Sequence, residues 1–340
     1  MKSVWSAAFA AALICATTAA AWAPESHAPT RPAAEEYGVY LMLVEGAQVG
    51  FDEALETLRT GIDGAGWQLL TDYSAGVESG DCDFRAHVFV VSSSEYAAQV
   101  MAHGVGAAFA LPLRVAVFED ENGVHVAAAN PLSLNRTIVA EEGFGEQSQA
   151  AAGALQQMVA GFGDAVAADQ FGQVRDRGLI GKTMGIIAGG PFPDKIEEIA
   201  STDGQIADVA DQLWAGLEEL GGERRWATRP VYRLDLPEHD AVIIGVTGDP
   251  IESKSFQIVG AGSNDARDDF ACPGIDHAAA YPVELVLYQD GDRVRVTLID
   301  EMFRMKMYFE DAGKMKFAAN MRMPGSIENE IRDKVEESLY

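Results

Sequence analysis

This sequence predicts an α+β fold in two tandem copies of one small domain, and two observations predict it. The first is a duplicated hairpin. Leu111–Leu132 (LPLRVAVFEDENGVHVAAANPL) and Tyr281–Met302 (YPVELVLYQDGDRVRVTLIDEM) align without a gap at an offset of 170 (281 − 111). Pro112 falls on Pro282, Val115 on Leu285, Val117 on Leu287, Phe118 on Tyr288, Asp120 on Asp290 and Val126 on Val296. Each copy is a proline-led apolar run, an acidic turn and a second alternating run, the pattern of a β-hairpin. The second observation is that both halves mix short apolar runs with stripes of helical period in the same order, so a whole domain is repeated.

The N-terminus is expected to be a signal peptide over residues 1–23. Lys2 supplies a positive start, Val4–Ala21 is apolar and uncharged, and Ala21-Trp22-Ala23 fits a small-x-small cleavage site before Pro24. The chain is then exported to the periplasm or secreted. Residues 24–36, PESHAPTRPAAEE, are proline-rich and polar and read as a flexible leader.

The first copy spans 37–163. Tyr37–Val44 is a short strand, and Phe51–Ala65 is an amphipathic helix with Phe51, Ala54, Leu55, Leu58 and Ile62 on one stripe. Gly64 and Gly66 end it. His87–Val91 is a buried strand, Ser94–Met101 a short helix, Pro112 opens the hairpin, and Gln147–Phe162 is a closing helix. Residues 164–191 form a glycine-rich linker in which Met184–Ala188 is an apolar run fit for an extra strand.

The second copy, 192–340, repeats the order. Ile196–Ile199 matches the first strand, Ile206–Leu220 the first helix and Ala241–Val246 the buried strand. An insertion falls within 253–276, and Ser326–Leu339 closes the copy. Beyond the first 23 residues no apolar stretch is long enough to span a membrane.

Composition narrows the partners. With 52 acidic and 25 basic residues the formal charge is −27, and −28 (−27 − 1) once Lys2 leaves with residues 1–23. Such a surface repels nucleic acid and anionic lipid. Of the three cysteines, Cys82 and Cys272 remain after cleavage. An oxidising compartment permits their pairing, which the spacing leaves open.

A buried strand, the helix SSEYAAQVM, a Leu-Pro opening a hairpin that ends in Asn130-Pro131, and the opening helix FDEALETLRTGIDGAGW together resemble the bacterial domain of unknown function 302 family. The resemblance covers most of Tyr37–Phe162 and, more loosely, Phe192–Leu339, where Asp300-Glu301 replaces the Asn-Pro pair. It implies a twisted sheet with helices packed on one face, and no activity. It also implies domains that pair, so a tandem chain is expected to form that dimer internally as a monomeric pseudo-dimer.

The segment Met302–Met323 holds six of the eleven methionines. Met and Phe alternate with Lys and Arg, so a second hairpin over 302–323 with a Met face is expected. Three readings stay open. Met305, Met307, Met315, Met321 and Met323 are candidate thioether ligands for Cu(I). The same face suits a small apolar ligand or a periplasmic protein partner. Alternatively it is core packing.

His87 and His239 begin matched strands, and Asp240 follows His239. No nucleophile elbow, phosphate loop or dinucleotide fingerprint is present. The function expected is a non-enzymatic binding or accessory protein. The rival is an enzyme with a site between the copies around His239 and Asp240.

Overall fold

Apolar runs bounded by turn residues form two antiparallel sheets, one in each copy. The computed structural model describes residues 36–77, 83–139, 144–176, 190–260 and 274–340. The first copy runs β1 (Glu36–Tyr37), β2 (Tyr40–Ala47), α1 (Phe51–Gly64), β3 (Gln68–Ser74), β4 (Ala86–Ser92), α2 (Ser94–Met101), β5 (Leu113–Asp120), β6 (Gly123–Ala129), α3 (Pro131–Ile138) and α4 (Gly145–Met158). Then come β7 (Val166–Phe171) and β8 (Arg175–Asp176). The second copy runs β9 (Ile196–Asp203), α5 (Ile206–Glu219), β10 (Arg229–Leu236), β11 (Ala241–Thr247), α6 (Asp249–Val259), β12 (Val283–Asp290), β13 (Arg293–Ile299), α7 (Glu301–Phe309), α8 (Lys314–Ala319) and α9 (Met323–Leu339).

The strand orders are β3-β4-β5-β6-β2-β7 and β10-β11-β12-β13-β9. Apart from β7, the two sheets share one topology, and cis prolines, Pro112 and Pro282, precede β5 and β12. The α+β class and the duplicated architecture are therefore as the sequence predicts. The stripe of α1 is buried at Phe51, Ala54, Leu55, Leu58 and Ile62, as apolar residues at helical spacing require. Gly61 lets α4 approach closely: a Cβ there would lie 1.7 Å from the Met158 carbonyl oxygen.

Two expectations for local structure are corrected. Residues 164–191 are not all linker, because β7 pairs with β2 and extends the first sheet, and β8 pairs with β1. The Gln170 side chain accepts from the Gly38 N–H at 2.8 Å, which ties this edge down. The run Met184–Ala188, like Cys82 and Cys272, lies outside the described residues.

The hairpin expected over 302–323 is instead α7, α8 and the start of α9. Asp300 is the reason at the N-terminal end. Its side chain accepts from the Phe303 N–H at 2.8 Å and caps α7. Asn130, its equivalent at offset 170, caps α3 in the same way at 3.0 Å. Helix α7 is buried on all sides, from Phe303 through Phe309. A helix without a solvent face has no apolar stripe, so its alternation of Met and basic residues imitates a strand. Of the expected insertion, residues 253–259 lie in α6, and Asp276 lies in a 3-10 helix, Ile275–Ala280.

The copies meet through reciprocal contacts. The 3-10 helix Ile275–Ala280 lies across β4, β5 and β6, its counterpart Val105–Ala110 touches β12, and β3 touches β10. Equivalent elements exchange contacts, which is the signature of pseudo-twofold pairing.

Candidate functional site

The contact between copies is charged at its centre. Arg114 and Glu284 stand at equivalent positions of β5 and β12, each inside an apolar run. Both are buried, to 3% and 2% exposure, and they pair with each other. Arg114 also donates to the Tyr308 hydroxyl and lies 5.0 Å from its ring centroid. Burial opposes the charge on Arg114, but Glu284 and Tyr308 hold the guanidinium protonated. Tyr40 of the first copy donates to the Tyr308 carbonyl at 3.0 Å.

Around this pair lie further buried polar groups. Arg304 donates to the carbonyls of Ala280 and Pro282, with its guanidinium 5.1 Å from the Tyr281 and Tyr308 ring centroids. Its Nε and Nη1, both carboxylate oxygens of Glu301, Arg114 Nε and the Tyr232 hydroxyl have no hydrogen-bond partner among the described residues. Burial raises Glu301 to about 7, against the pull of Arg304. Glu252 of α6 reaches across the copies: it accepts from the Gly76 N–H and, at 2.6 Å, from Thr247 Oγ1. Burial raises it to about 7 as well.

His277 is equally enclosed, at 1% exposure. Its Nδ1 lies 2.9 Å from Asp276 Oδ1 and its Nε2 3.1 Å from Asp311 Oδ2. Tyr40 and Phe171 of the first copy meet the ring edge-on at 4.8 and 5.8 Å, while Phe309 stacks at 5.9 Å. Burial works against an imidazolium here, but the two carboxylates outweigh it and raise His277 to about 10. The ring is a permanent cation at neutral pH. This cluster and the Arg114–Glu284 centre are both buried where the copies join.

Several concave surfaces among the described residues reach solvent, and two of them gather side chains with chemical potential. A groove of about 500 Å³ in the first copy is lined by Phe51 and Leu55 of α1, Ser74 of β3, and Phe84, Arg85 and His87 at the start of β4. Ser74 and His87 are register partners on β3 and β4, and Asp72 shares the face of Ser74 because side chains alternate along a strand. Ser74 Oγ lies 3.4 Å from His87 Nδ1, and Asp72 Oδ2 lies 3.7 Å from His87 Nε2. Arg59 donates from Nε to Asp72 at 2.8 Å and fixes that carboxylate. Burial lowers the His87 pKa, so the imidazole is neutral at pH 7.

The other surface is a narrow apolar crevice between α6, α7, α8 and α9, lined by Ile258, Met305, Phe309, Phe317, Met321 and Met323. It leaves about 20 Å³ of space open to water. Three of the five methionines expected to share a face therefore meet here. Met307 is buried in the core at 0% exposure, and Met315 stands in solvent at 85%. Helical geometry separates them: residues two apart on a helix point in different directions.

His239 and Asp240 occupy the turn between β10 and β11, where Asp240 is left-handed at φ 45°. The His239 ring forms no hydrogen bond or ion pair among the described residues. No group of three or more His, Cys, Asp or Glu among them is placed to hold a metal ion.

Sequence reasoning missed Arg114 and Glu284, although the gapless alignment sets them at one position with opposite charge. It also passed over Asp72 and Ser74, whose strand lacks a clean apolar alternation.

Residues 44–162 match the family model described as "Domain of unknown function DUF302". The first copy is similar to this family over those residues. The DUF302 match ends before the second copy, whose likeness to the first copy rests on its repeated hairpin and shared sheet order. A solved structure described as "uncharacterized conserved protein DUF302 from Bacillus stearothermophilus" is similar at 14% identity with a TM-score of 0.30. The likeness covers 39% of this chain and 98% of that one. No curated protein matches the chain. No helix among the described residues is long and apolar enough to cross a membrane.

Proposed function

We propose that the chain is an exported, non-enzymatic binding or accessory protein whose working surface is the methionine-lined crevice of the second copy. The observation that carries this reading is the convergence of Met305, Met321 and Met323 with Phe309 and Phe317 on one apolar cleft. Unbranched thioethers adapt to irregular apolar shapes. Met321 and Met315 are among the large apolar side chains exposed to solvent. Exposed Lys316 and Arg322 are interleaved with the lining residues and form no ion pair among the described residues. A small apolar ligand or an apolar segment of a partner would enter by displacing these adaptable side chains, since the crevice as it stands has room for about one water molecule. The same three sulfurs are the candidate ligands for Cu(I), a soft ion that thioethers select.

Two titrations test it. Anaerobic Cu(I) titration should give sub-micromolar binding that is lost in Met305→Leu/Met321→Leu/Met323→Leu if the metal is the ligand. An apolar fluorescent dye should bind the chain and be displaced or lost in Met321→Glu if the crevice takes apolar ligands. Failure of both removes this reading. Export is tested separately by sequencing the N-terminus of the protein recovered from the periplasm, which should begin at Pro24.

A second reading is favoured by the first-copy groove. Neutral His87 beside exposed Ser74, with Asp72 behind the ring, has the residue types of a base-activated hydroxyl. An enzyme of this kind should turn over p-nitrophenyl esters, and Ser74→Ala and His87→Ala should each abolish turnover while leaving the melting temperature unchanged. Absence of turnover in the parent chain ends that reading.

A further inference from the structure

We propose that Arg114 and Glu284 determine which copy pairs with which, restricting this face to the union of a first copy with a second. Arg114 and Glu284 are one and the same position of the repeated domain, since 284 − 114 gives the hairpin offset of 170. Their side chains nevertheless touch each other. A position that meets its own equivalent lies on the pseudo-twofold axis. The reciprocal contacts around it agree: Ile275–Ala280 packs on β5, Val105–Ala110 on β12, and β3 meets its equivalent β10.

An axial position has a particular consequence. Were two identical domains to pair through this face, the axial residue would meet itself. Two first copies would set Arg114 against Arg114, and two second copies would set Glu284 against Glu284. At 3% and 2% exposure neither like-charged pair has water to screen it. Only the unlike pair neutralises both charges. The surroundings are also sided, because the second copy alone supplies Tyr308, whose hydroxyl accepts from Arg114, and Ile138 stands at the equivalent place in the first. A buried ion pair contributes little net stability but strongly penalises wrong partners. The partner this face fits is therefore the other half of the same chain, or the unlike half of a second chain.

Full-length chains carrying single charge reversals test this by complementation. Arg114→Glu places two carboxylates on the axis, and Glu284→Arg places two guanidinium groups there. Each variant alone should lose the compact monomer seen by native mass spectrometry and light scattering. Unfolded together and refolded as an equimolar mixture, they should yield a heterodimer with one chain of each kind. In it, the carboxylate introduced at position 114 of one variant meets the guanidinium introduced at position 284 of the other, and the remaining pair is the original Arg114–Glu284. Arg114→Met/Glu284→Met, which removes both charges, should remain a compact folded monomer, because no uncompensated charge is left on the axis.

Two results would overturn the proposal. One is that the single reversals remain compact monomers with unchanged unfolding midpoints. The other is that the mixture behaves as the sum of its separate components, aggregated or monomeric, because it contains both complementary pairings and charge would then not be deciding the pairing.

Discussion

His277 offers a quantitative test of how the copies are joined. Its imidazolium, caged by Tyr40, Phe171 and Phe309 and bracketed by Asp276 and Asp311, holds its proton up to about pH 10, whereas an unfolded chain releases it near 6.5. A group whose native pKa is raised contributes stability that is complete below the unfolded pKa and disappears as pH climbs through the native one. Between those limits the native state binds one more proton than the unfolded state. The free energy of unfolding then falls by about 1.4 kcal/mol per pH unit from this group alone. From pH 7 to pH 9 the loss amounts to roughly 2.5 kcal/mol, because part of the unfolded population is still protonated at pH 7. The perturbation is His277→Gln, which keeps hydrogen-bonding capacity but does not titrate. Urea unfolding at pH 7, 8 and 9 is the assay, and the variant is compared with the parent at each pH so that other titrating groups cancel. The variant should be less stable at pH 7 by about 3–5 kcal/mol, since two carboxylates lose their buried partner. The gap should narrow by the amount just given as pH rises. A gap that is constant with pH would refute the assignment of a bound proton to His277.

Glu252 behaves in the same direction at lower pH: burial raises its pKa to about 7, against 4.5 unfolded, so its contribution is complete below pH 4.5 and is lost through pH 7. Relative to Glu252→Gln, the parent should lose about 3 kcal/mol between pH 4.5 and 8 in denaturant titrations, and parallel pH profiles would contradict this. At Gly76 an added Cβ would lie 2.4 Å from Asp249 Cα across the copies. Gly76→Val should therefore cost about 1–3 kcal/mol by overpacking, while Gly153→Ala in open space on α4 should stabilise by about 0.5–1 kcal/mol in calorimetry. In the crevice, buried Met305→Ala should cost about 2–5 kcal/mol, whereas exposed Met315→Ala should change stability by about 0.5 kcal/mol at most. Equal effects of the two would mean that α8 packs differently from the arrangement described.

Elements buried on one side were legible because one-sided burial writes a period into the chain. Helix α1 shows this with its stripe from Phe51 to Ile62, and α2 begins and ends at the residues expected, Ser94 and Met101. Helix α7 shows the converse. Enclosed on every side, it carries Arg304 and Lys306 at 1% exposure among its methionines, so polarity no longer reports solvent. Its one local signal was the cap at Asp300, and the match with Asn130 at the same offset made that signal readable in principle. Strand β7 was unreadable for a different reason. Its residues are mostly exposed, and it is a strand because the free edge of β2 offers unpaired backbone groups.

The sequence by itself determined the duplication, the two matched hairpins, the cap residues and most of the sheet strands, because these follow from local periodicity and from comparing the chain with itself. Tertiary structure alone decided which side chains meet. Arg114 and Glu284 are 170 residues apart, His277 finds Asp311 from another element and two of its three aromatic neighbours from the other copy, and only three of five methionines share a crevice. Such meetings depend on how whole elements cross and on which charges burial forces together, and neither quantity is written in any window of neighbouring residues.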